Sequence, residues 1–300
     1  MNLNVLLLLV LLGKFCSGYY IEPKVFSIIC SRSKLLLNRI LVDYDECKKD
    51  ASSGELSVSL PLDDDRALHI RNILKLAIND TVRMGVINHG ITDGIVTSFD
   101  DSYNISLGSY ESLTKIIDTP YVDLILAVPR PLRLERLLPI IASLGIRRLY
   151  LIAANKVEKD YFGSHLFRRP SALNQLLLEG LSQASDSYIL PEVHVRKSFH
   201  KFVKDELPLL YEENKNKFIA HPYNIGSESD GAQRLFCYEK SAGTNNAVIA
   251  IGPEGGWEDD EVTCFKQNNF RQITLGSHIL RTDVAVTVTL GMLNEWLSVK

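Results

Sequence analysis

The sequence predicts an α/β protein in which a small β-rich unit over residues 38–118 precedes a larger domain over residues 119–300. Two observations carry this prediction. Residues 56–60 alternate apolar and polar side chains with a period of two, which is typical of a half-buried strand. From about residue 120, short apolar segments alternate with longer segments of helical periodicity, which indicates a sheet of parallel strands covered by helices.

The N-terminal segment of the chain has a composition of its own. Residues 3–12 are almost wholly apolar and are followed by small residues, so residues 1–18 resemble a signal peptide. Residues 19–37 are basic, contain several serines and are poor in acids, as transit peptides are. Together they predict a leader that directs the protein to a plastid-type organelle through the secretory route. The alternatives are a buried segment of the mature fold and a cytoplasmic protein.

Charge is distributed unevenly along the chain. The net charge is −3, and it becomes −6 without residues 1–37, which hold four basic residues and one acid. Residues 130–169 alone carry +6, which suits either a phosphate-binding face or a set of solvated helix faces. The basic side chains of this segment that are candidate RNA contacts are Arg133, Arg136, Arg147, Arg148, Lys156, Arg168 and Arg169. In the small unit, His69 and Arg71 are further candidates.

The cysteines outside the leader are Cys47, Cys237 and Cys264. They are odd in number and widely spaced, and the chain has no Cys-x-x-Cys pair. Since structural zinc sites and disulfide frameworks need closely patterned cysteines, we expect neither a disulfide nor a bound metal.

The small unit is predicted to be a short β-barrel with one helix. Besides the strand at residues 56–60, strands are expected at residues 81–86 and 94–99, separated by turn-forming Asn, Gly and Asp residues. Residues 65–76 are predicted to form one helix, in which Leu68, Ile73 and Leu76 share a face.

The larger domain is predicted as alternating strands and helices. Its expected strands lie at residues 123–128, 149–154, 192–195, 217–220, 247–251 and 272–275. Its expected helices lie at residues 134–144, 171–184, 201–211, 258–268 and 282–297.

A glycine-rich turn is the clearest candidate for a functional loop. The apolar strand that ends at Ile251 runs directly into Gly252, Pro253, Glu254, Gly255 and Gly256. Glycines let a backbone approach a ligand closely and adopt positive φ angles. The following helix has four acids in its first turn, which disfavours a phosphate ligand at this helix end. From spacing alone, a tight structural turn and a ligand pocket are equally good interpretations.

Two other predicted strands also end in candidate loops. One is followed by His221 and Pro222, and the other by residues 275–285, in which Arg281 precedes a predicted helix that Thr282 or Asp283 would cap. Because ligands of open α/β sheets bind beyond the carboxyl ends of the strands, we expect the three loops to form one crevice.

The combination of these segments resembles the RsmE family of ribosomal RNA uridine-N3 methyltransferases. The turn at residues 252–256, followed about twenty residues later by Leu-Gly-x-x-Ile-Leu-Arg-Thr-acid at residues 275–283, is similar to the motifs of this family. Residues 68–76, residues 127–131 with 144–149, and residues 179–184 are similar to further family segments. The resemblance covers most of residues 38–300.

The resemblance implies a fold, a cofactor and a substrate. It implies a PUA-like RNA-binding β-barrel over residues 38–118 and a SPOUT domain with a C-terminal trefoil knot over residues 119–300, working as a homodimer on small-subunit (16S-type) ribosomal RNA. The cofactor would be S-adenosyl-L-methionine. The residues that the resemblance assigns to its pocket are His221, Pro222, Ile251, Gly252, Pro253, Glu254, Gly255, Gly256, Leu275, Gly276, Ile279, Leu280 and Arg281.

The reaction implied by the resemblance suggests two catalytic candidates. Uridine N3–H must lose its proton before methylation, and Arg281 is the candidate for stabilising the resulting uracil anion. Asp283 is the candidate base, with a helix-capping role as its alternative. The family has Glu where this chain has Asp283, and Val284 replaces a small or hydroxyl residue. The carboxylate is therefore retained but shortened.

Two other functions are compatible with the sequence. The first is an RNA-binding protein of the same fold that has lost catalysis. The second is a secreted protein that binds a small molecule, which is suggested by the leader and by the glycosylation triplets at Asn79 and Asn104. The cofactor loops favour the methyltransferase.

Overall fold

The fold was analysed in a computed structural model of the chain. The structure describes residues 39–115, 120–184, 187–214, 216–222, 233–241 and 244–298. The predicted leader over residues 1–37 lies outside these described residues, so its signal and transit segments stay predictions. The segment Asn38–Lys300 forms one unit that contains two separate sheets.

The first sheet has six strands and belongs to the small N-terminal region. Its strands are β1 (Ile40–Val42), β2 (Cys47–Lys49), β3 (Glu55–Pro61), β4 (Thr81–Val86), β5 (Gly90–Ser98) and β6 (Ser102–Ser109). They lie in the order β1-β4-β5-β6-β3-β2. Strands β1 and β4 are parallel, and the other neighbours are antiparallel. The alternating apolar side chains of these strands enclose a core of their own.

The helix predicted over residues 65–76 of the small region is shorter and less regular in the structure. An α-helix, α1, covers Asp65–His69, and a π-helical segment covers Ile70–Leu74. Leu68 and Ile73 are exposed, whereas Leu76 lies beyond the π segment and packs against the core, so the prediction that the three share one helix face was wrong. The extra residue per turn in the π segment rotates the helix, and Ile70 is buried instead.

The second sheet has seven strands, all parallel, as predicted. Its strands are β7 (Tyr121–Ala127), β8 (Ile146–Ile152), β9 (Glu192–Arg196), β10 (Lys217–Ala220), β11 (Gln233–Arg234), β12 (Asn246–Ile251) and β13 (Arg271–Thr274). They lie in the order β11-β13-β10-β12-β7-β8-β9. Buried apolar side chains occupy the central strands almost continuously, because helices cover both faces of a parallel sheet.

Helices connect these strands, as the sequence predicts. They are α2 (Pro131–Ser143), α3 (His165–Arg168), α4 (Pro170–Gln183), α5 (Phe199–Lys201), α6 (Leu207–Leu210), α7 (Asp259–Gln267) and α8 (Thr282–Ser298). A π-helical segment, Phe202–Glu206, joins α5 to α6. Helices α2 and α4 pack closely, because Gly180 lies directly against the backbone of Pro139 and has no side chain to separate them.

The two sheets are joined at the end of α4. Leu41 and Ile87 of the small region form an apolar cluster with Leu181. Beside it, the backbone N–H of Asn88 donates to the carbonyl of Tyr188, at an N···O distance of 2.8 Å. Because apolar packing and backbone hydrogen bonds both cross this junction, the small sheet has a defined place on the larger domain.

Within the described residues, no helix is long and apolar enough to cross a membrane. No group of three or more His, Cys, Asp or Glu side chains in those ranges is arranged to hold a metal ion.

Candidate functional site

The candidate site lies where three neighbouring strands of the large sheet end. Strand β10 pairs with β12 on one side, where Ala220 is opposite Ile251, and with β13 on the other, where Ala220 is opposite Ile273. Because the three strands are parallel, the loops that follow them leave the sheet at the same edge. The structure therefore brings together the three segments that the sequence predicts to form one crevice.

A cavity of about 740 Å³ lies between these loops. This volume is within the range of pockets that bind small organic molecules. The residues that line it are Ala220, His221, Pro222, Arg234, Ile251, Gly252, Pro253, Glu254, Gly256, Trp257, Ile273, Thr274, Leu275, Gly276, Ser277, His278, Ile279, Leu280, Thr282 and Ala285. Among the predicted cofactor residues, Gly255 and Arg281 are the two that do not line this cavity.

The glycine-rich turn forms one wall of the cavity. The backbone N–H of Gly256 donates to the carbonyl of Pro253 at 2.9 Å, which closes a four-residue turn. Gly256 has a φ of +71°, a conformation that side-chain-bearing residues rarely adopt. The ring of Trp257 is buried directly beneath Gly252, where an added Cβ would lie 3.2 Å from it. The turn is thus both a tight structural turn and part of a pocket.

Polar contacts also hold the glycine-rich turn on the side away from the cavity. Lys156 Nζ donates to the carbonyl of Gly255 at 3.2 Å. The neighbouring Asn155 donates from its backbone to Glu261 Oε1 at 2.8 Å and from Nδ2 to Glu258 Oε2 at 2.7 Å. Gly255 and Lys156 are therefore hydrogen-bonded to each other, and neither residue lines the cavity.

The acids that follow the turn lie at the start of α7, where they suit the helix dipole. None of the four carboxylates at residues 258–261 lines the cavity. Glu258 and Glu261 form a capping box at the start of α7. That these acids disfavour a phosphate ligand at this helix end stays a prediction. Within the described residues, Glu254 is the carboxylate that lines the cavity.

The loop after β13 forms the opposite wall. Gly276 has a φ of +105°, and a Cβ added there would meet no atom within 4 Å. Ile279 lines the cavity although 85% of its surface is exposed. The site therefore offers an apolar lining, several backbone groups and an open side.

Arg281 and Asp283 form an ion pair beside the cavity. Arg281 Nη2 lies 2.6 Å from Asp283 Oδ2, and the Arg281 side chain is 67% exposed. The first bond of α8 runs from the N–H of Ala285 to the carbonyl of Arg281. Thr282 and Asp283 consequently lie within the first turn of α8, so the expectation that one of them is the capping residue was wrong. A carboxylate in the first turn still suits the helix dipole.

The protonation of Asp283 follows from its neighbours. Burial raises the pKa of its carboxyl, but the hydrogen bond from Arg281 and the charges of Arg281 and Arg133 lower it, and the net shift is downward. Asp283 is thus a carboxylate at neutral pH. Because a lower pKa makes a carboxylate a weaker proton acceptor, the geometry favours an orienting role over a base.

The predicted RNA contacts do not lie on a single face. Arg147 stacks over the ring of Tyr121, and Arg148 lies 3.8 Å from the buried carboxylate of Asp123. Both arginines are at the beginning of β8, the edge of the sheet opposite the cavity. The carboxylate of Asp123 also accepts a hydrogen bond from Tyr211, so Arg148 belongs to a structural cluster.

Other predicted contacts lie at the edge that carries the cavity. Helix α2 begins there, and Nε2 of His165 in α3 lies 2.6 Å from Oε1 of Glu135 in α2. The side chains of Arg136, Arg168 and Arg169 are exposed. In the small region, Arg71 is exposed and His69 is half-buried.

The sequence analysis missed several lining residues. Trp257 follows the glycine-rich turn and its Nε1 is buried without a hydrogen-bond partner among the described residues. His278 lies within the quoted motif, where the family pattern leaves its position open. Arg234 comes from the two-residue strand β11, which no periodicity predicts.

Comparison with known protein families gives an independent view of this site. Residues 118–294 match the family model described as the RNA methyltransferase domain. The chain is 28% identical over 249 residues to the Ribosomal RNA small subunit methyltransferase E of Treponema pallidum, covering 78% of this chain and 85% of that protein. It is 26% identical over 253 residues to Ribosomal RNA small subunit methyltransferase E 1 of Borreliella burgdorferi, covering 83% and 94%. These relatives confirm the resemblance to the RsmE family.

Solved structures share the fold. A Ribosomal RNA small subunit methyltransferase E from Neisseria gonorrhoeae bound to S-adenosyl methionine has a TM-score of 0.63 at 16% identity, covering 86% of this chain and 97% of that one. A putative methyltransferase from Legionella pneumophila in complex with the same cofactor has a TM-score of 0.60 at 15% identity, covering 86% and 98%.

Proposed function

This chain belongs to the RNA methyltransferase domain family, and on that premise we propose that it transfers a methyl group from S-adenosylmethionine to N3 of a uridine in small-subunit ribosomal RNA. The observation that carries the proposal is the cavity at the ends of β10, β12 and β13. Relatives named small-subunit methyltransferase E support the choice of RNA, and the cofactor-bound structures of the same fold support the choice of methyl donor.

The residues around the cavity fit this cofactor. Apolar side chains and glycine backbone suit an adenine ring. Gly256 and Gly276 have positive φ angles, and the space that a Cβ would occupy at each of them is open. The buried Nε1 of Trp257 is a donor that still lacks an acceptor among the described residues. The carboxylate of Glu254 lines the cavity, where its negative charge would attract a cationic ligand. When bound, S-adenosylmethionine supplies a methyl group that is already activated as part of a sulfonium.

The chain's own residues would then bind and orient the uracil. Arg281 is exposed beside the cavity, so its guanidinium is available to an RNA base. A fixed positive charge there stabilises the anion that forms when N3 releases its proton to water at the open side of the site. Asp283, held as a carboxylate, fixes the orientation of Arg281 through the 2.6 Å ion pair. Positioning of the base against the methyl group provides the rest of the rate enhancement.

The wider architecture of the proposal follows the family. The six-stranded sheet would be a PUA-like barrel that contacts RNA, with His69 and Arg71 among its contacts. Arg136, Arg168 and Arg169 would meet RNA phosphates at the edge that carries the cavity, and Arg147 and Arg148 would be structural. The chain would work as a homodimer with a C-terminal trefoil knot.

Calorimetric titration with S-adenosylmethionine tests the site. We expect saturable binding by the wild-type protein, and at least about tenfold weaker binding by Gly276→Val, because a side chain would be added to the cavity wall. Gly145→Val is the matched control: Gly145 also has a positive φ, +72°, but lies at the opposite edge of the sheet. No binding by the wild-type protein, or equal losses in both variants, would contradict the proposal. Ribosomal RNA binding without cofactor binding would point to the catalytically inactive alternative.

A further inference from the structure

Arg133 lies in the first turn of α2 and contacts the glycine-rich turn. Its Nη1 is 3.4 Å from Oε1 of Glu254, and the side chains of both residues are 26% exposed. The same oxygen of Glu254 accepts a hydrogen bond from the backbone N–H of Arg130 at 3.2 Å. The beginning of α2 therefore holds the carboxylate that lines the cavity.

The guanidinium of Arg133 also acts on the other side of the site. Its positive charge is one of those that lower the pKa of Asp283, the residue paired with Arg281. The hydrogen bonds to the Asp283 carboxyl from Arg281 and from the backbone of Val284 have larger effects on this pKa. Arg133 is thus in contact with one carboxylate, that of Glu254, and its charge has a small effect on a second, that of Asp283.

We propose that Arg133 is a positioning residue of the methyl-transfer site, and that it is not one of the RNA phosphate contacts. The inference rests on the proposed function and deepens it. Arg136, one turn further along the same helix, is exposed and remains a phosphate contact in this scheme.

The physical reason is the contact between Arg133 and Glu254. The carboxylate of Glu254 lines the cavity, and its Oε1 is held by the guanidinium of Arg133 and by the backbone N–H of Arg130. Without the guanidinium, Glu254 would keep one of these two contacts, and its displacement would shift the glycine-rich turn against the proposed cofactor.

The test compares Arg133→Gln and Arg133→Lys with Arg136→Gln, using kcat, KM and the salt dependence of ribosomal RNA binding. We expect Arg133→Gln to lower kcat by about tenfold or more through misplacement of the reacting groups, with an unchanged salt slope. Arg133→Lys should restore most of the activity, because the single contact to Glu254 needs a charge rather than a planar guanidinium. Arg136→Gln should reduce the salt slope by about one, as the loss of one phosphate contact does.

A double-mutant cycle separates this inference from the proposed function. Arg133→Gln and Glu254→Gln should each weaken S-adenosylmethionine binding, and the combined variant should be weaker by less than the sum of the two effects. Additive effects, or a reduced salt slope with unchanged kcat in Arg133→Gln, would overturn the inference. A wild-type protein that binds the cofactor but transfers no methyl group would instead overturn the proposed function, and the cycle would still decide the role of Arg133. Circular dichroism of each variant confirms that it is folded.

Discussion

The ion pair between Arg281 and Asp283 lies beside the cavity and is not part of its lining. The two side chains meet at 2.6 Å, and neither lines the cavity. In the proposed function, cofactor binding and stabilisation of the charge on the base would therefore be carried by separate residues.

Substitution of Arg281 tests this separation. We expect Arg281→Ala to lower the methylation rate by about a hundredfold, since removal of one anion-stabilising donor has effects of this size. The affinity for S-adenosylmethionine should change little, because Arg281 does not line the cavity. Single-turnover methylation and calorimetry measure the two quantities separately. Full methylation by Arg281→Ala with bound cofactor would show that the assignment is wrong.

The pKa of Asp283 sets the pH range in which the pair exists. Since the folded-state pKa lies below the ordinary value of 3.8, the carboxylate is charged throughout the neutral range. Any stability that the pair contributes is present above that value and is lost as the pH falls through the folded pKa. Asp283 therefore does not titrate under physiological conditions.

Among the helices, α2 and α4 are in close backbone contact, and α2 also contacts the glycine-rich turn. Helix α2 carries Arg133, which contacts the glycine-rich turn. Gly180 of α4 lies against the carbonyl oxygen of Pro139, and an added Cβ would overlap that backbone atom. The closeness of the two helices thus depends on the absence of a side chain at one position.

Gly180→Ala tests this packing. The methyl group would force the helices apart, and we expect a loss of about 2 kcal/mol or more in the free energy of unfolding. The matched control is Gly291→Ala in α8, where an added Cβ meets no atom within 4 Å. That substitution should stabilise the protein by up to about 1 kcal/mol, because alanine favours helices over glycine. Urea unfolding of both variants measures the difference, and equal effects would refute the packing account.

Periodicity predicted every described strand of the large sheet except the two-residue strand β11. Each longer buried strand is a short apolar segment, and each helix repeats its apolar residues every three or four positions. Strand β6 also alternates Tyr103, Ile105 and Leu107 but is absent from the prediction. The π segment at residues 70–74 was not predicted, because the prediction used a regular α-helical period over the whole of residues 65–76.

The candidate site was predicted through its loops but not through its partners. The glycine-rich turn and the motif at residues 275–283 are contiguous in sequence, so they were recognisable. The contacts of Arg133 with Glu254 and of Arg148 with Asp123 join residues far apart in the chain. Such pairs are visible only in the folded structure. They show that Arg133 contacts the candidate site and that Arg148 contacts a buried carboxylate, although both look like surface charges in the sequence.

At the scale of the whole molecule, the two sheets form a single unit with a fixed junction. The turn at Asn88 donates to Tyr188, and its side-chain oxygen accepts a hydrogen bond from the backbone of Leu190 at 3.0 Å. The small sheet is thereby held on the larger domain without a long linker. An RNA bound by the small sheet would be presented to the larger domain in a defined orientation.

Nucleoside mass spectrometry of small-subunit ribosomal RNA tests the central claim most directly. The RNA is obtained unmethylated by transcription and incubated with the protein and S-adenosylmethionine, and the digested nucleosides are separated against standards for each methylated uridine isomer. The proposed function predicts a single new product, N3-methyluridine, which forms about a hundredfold more slowly with Arg281→Ala. Absence of any methylated nucleoside, or methylation of a ribose or another base position, would contradict it.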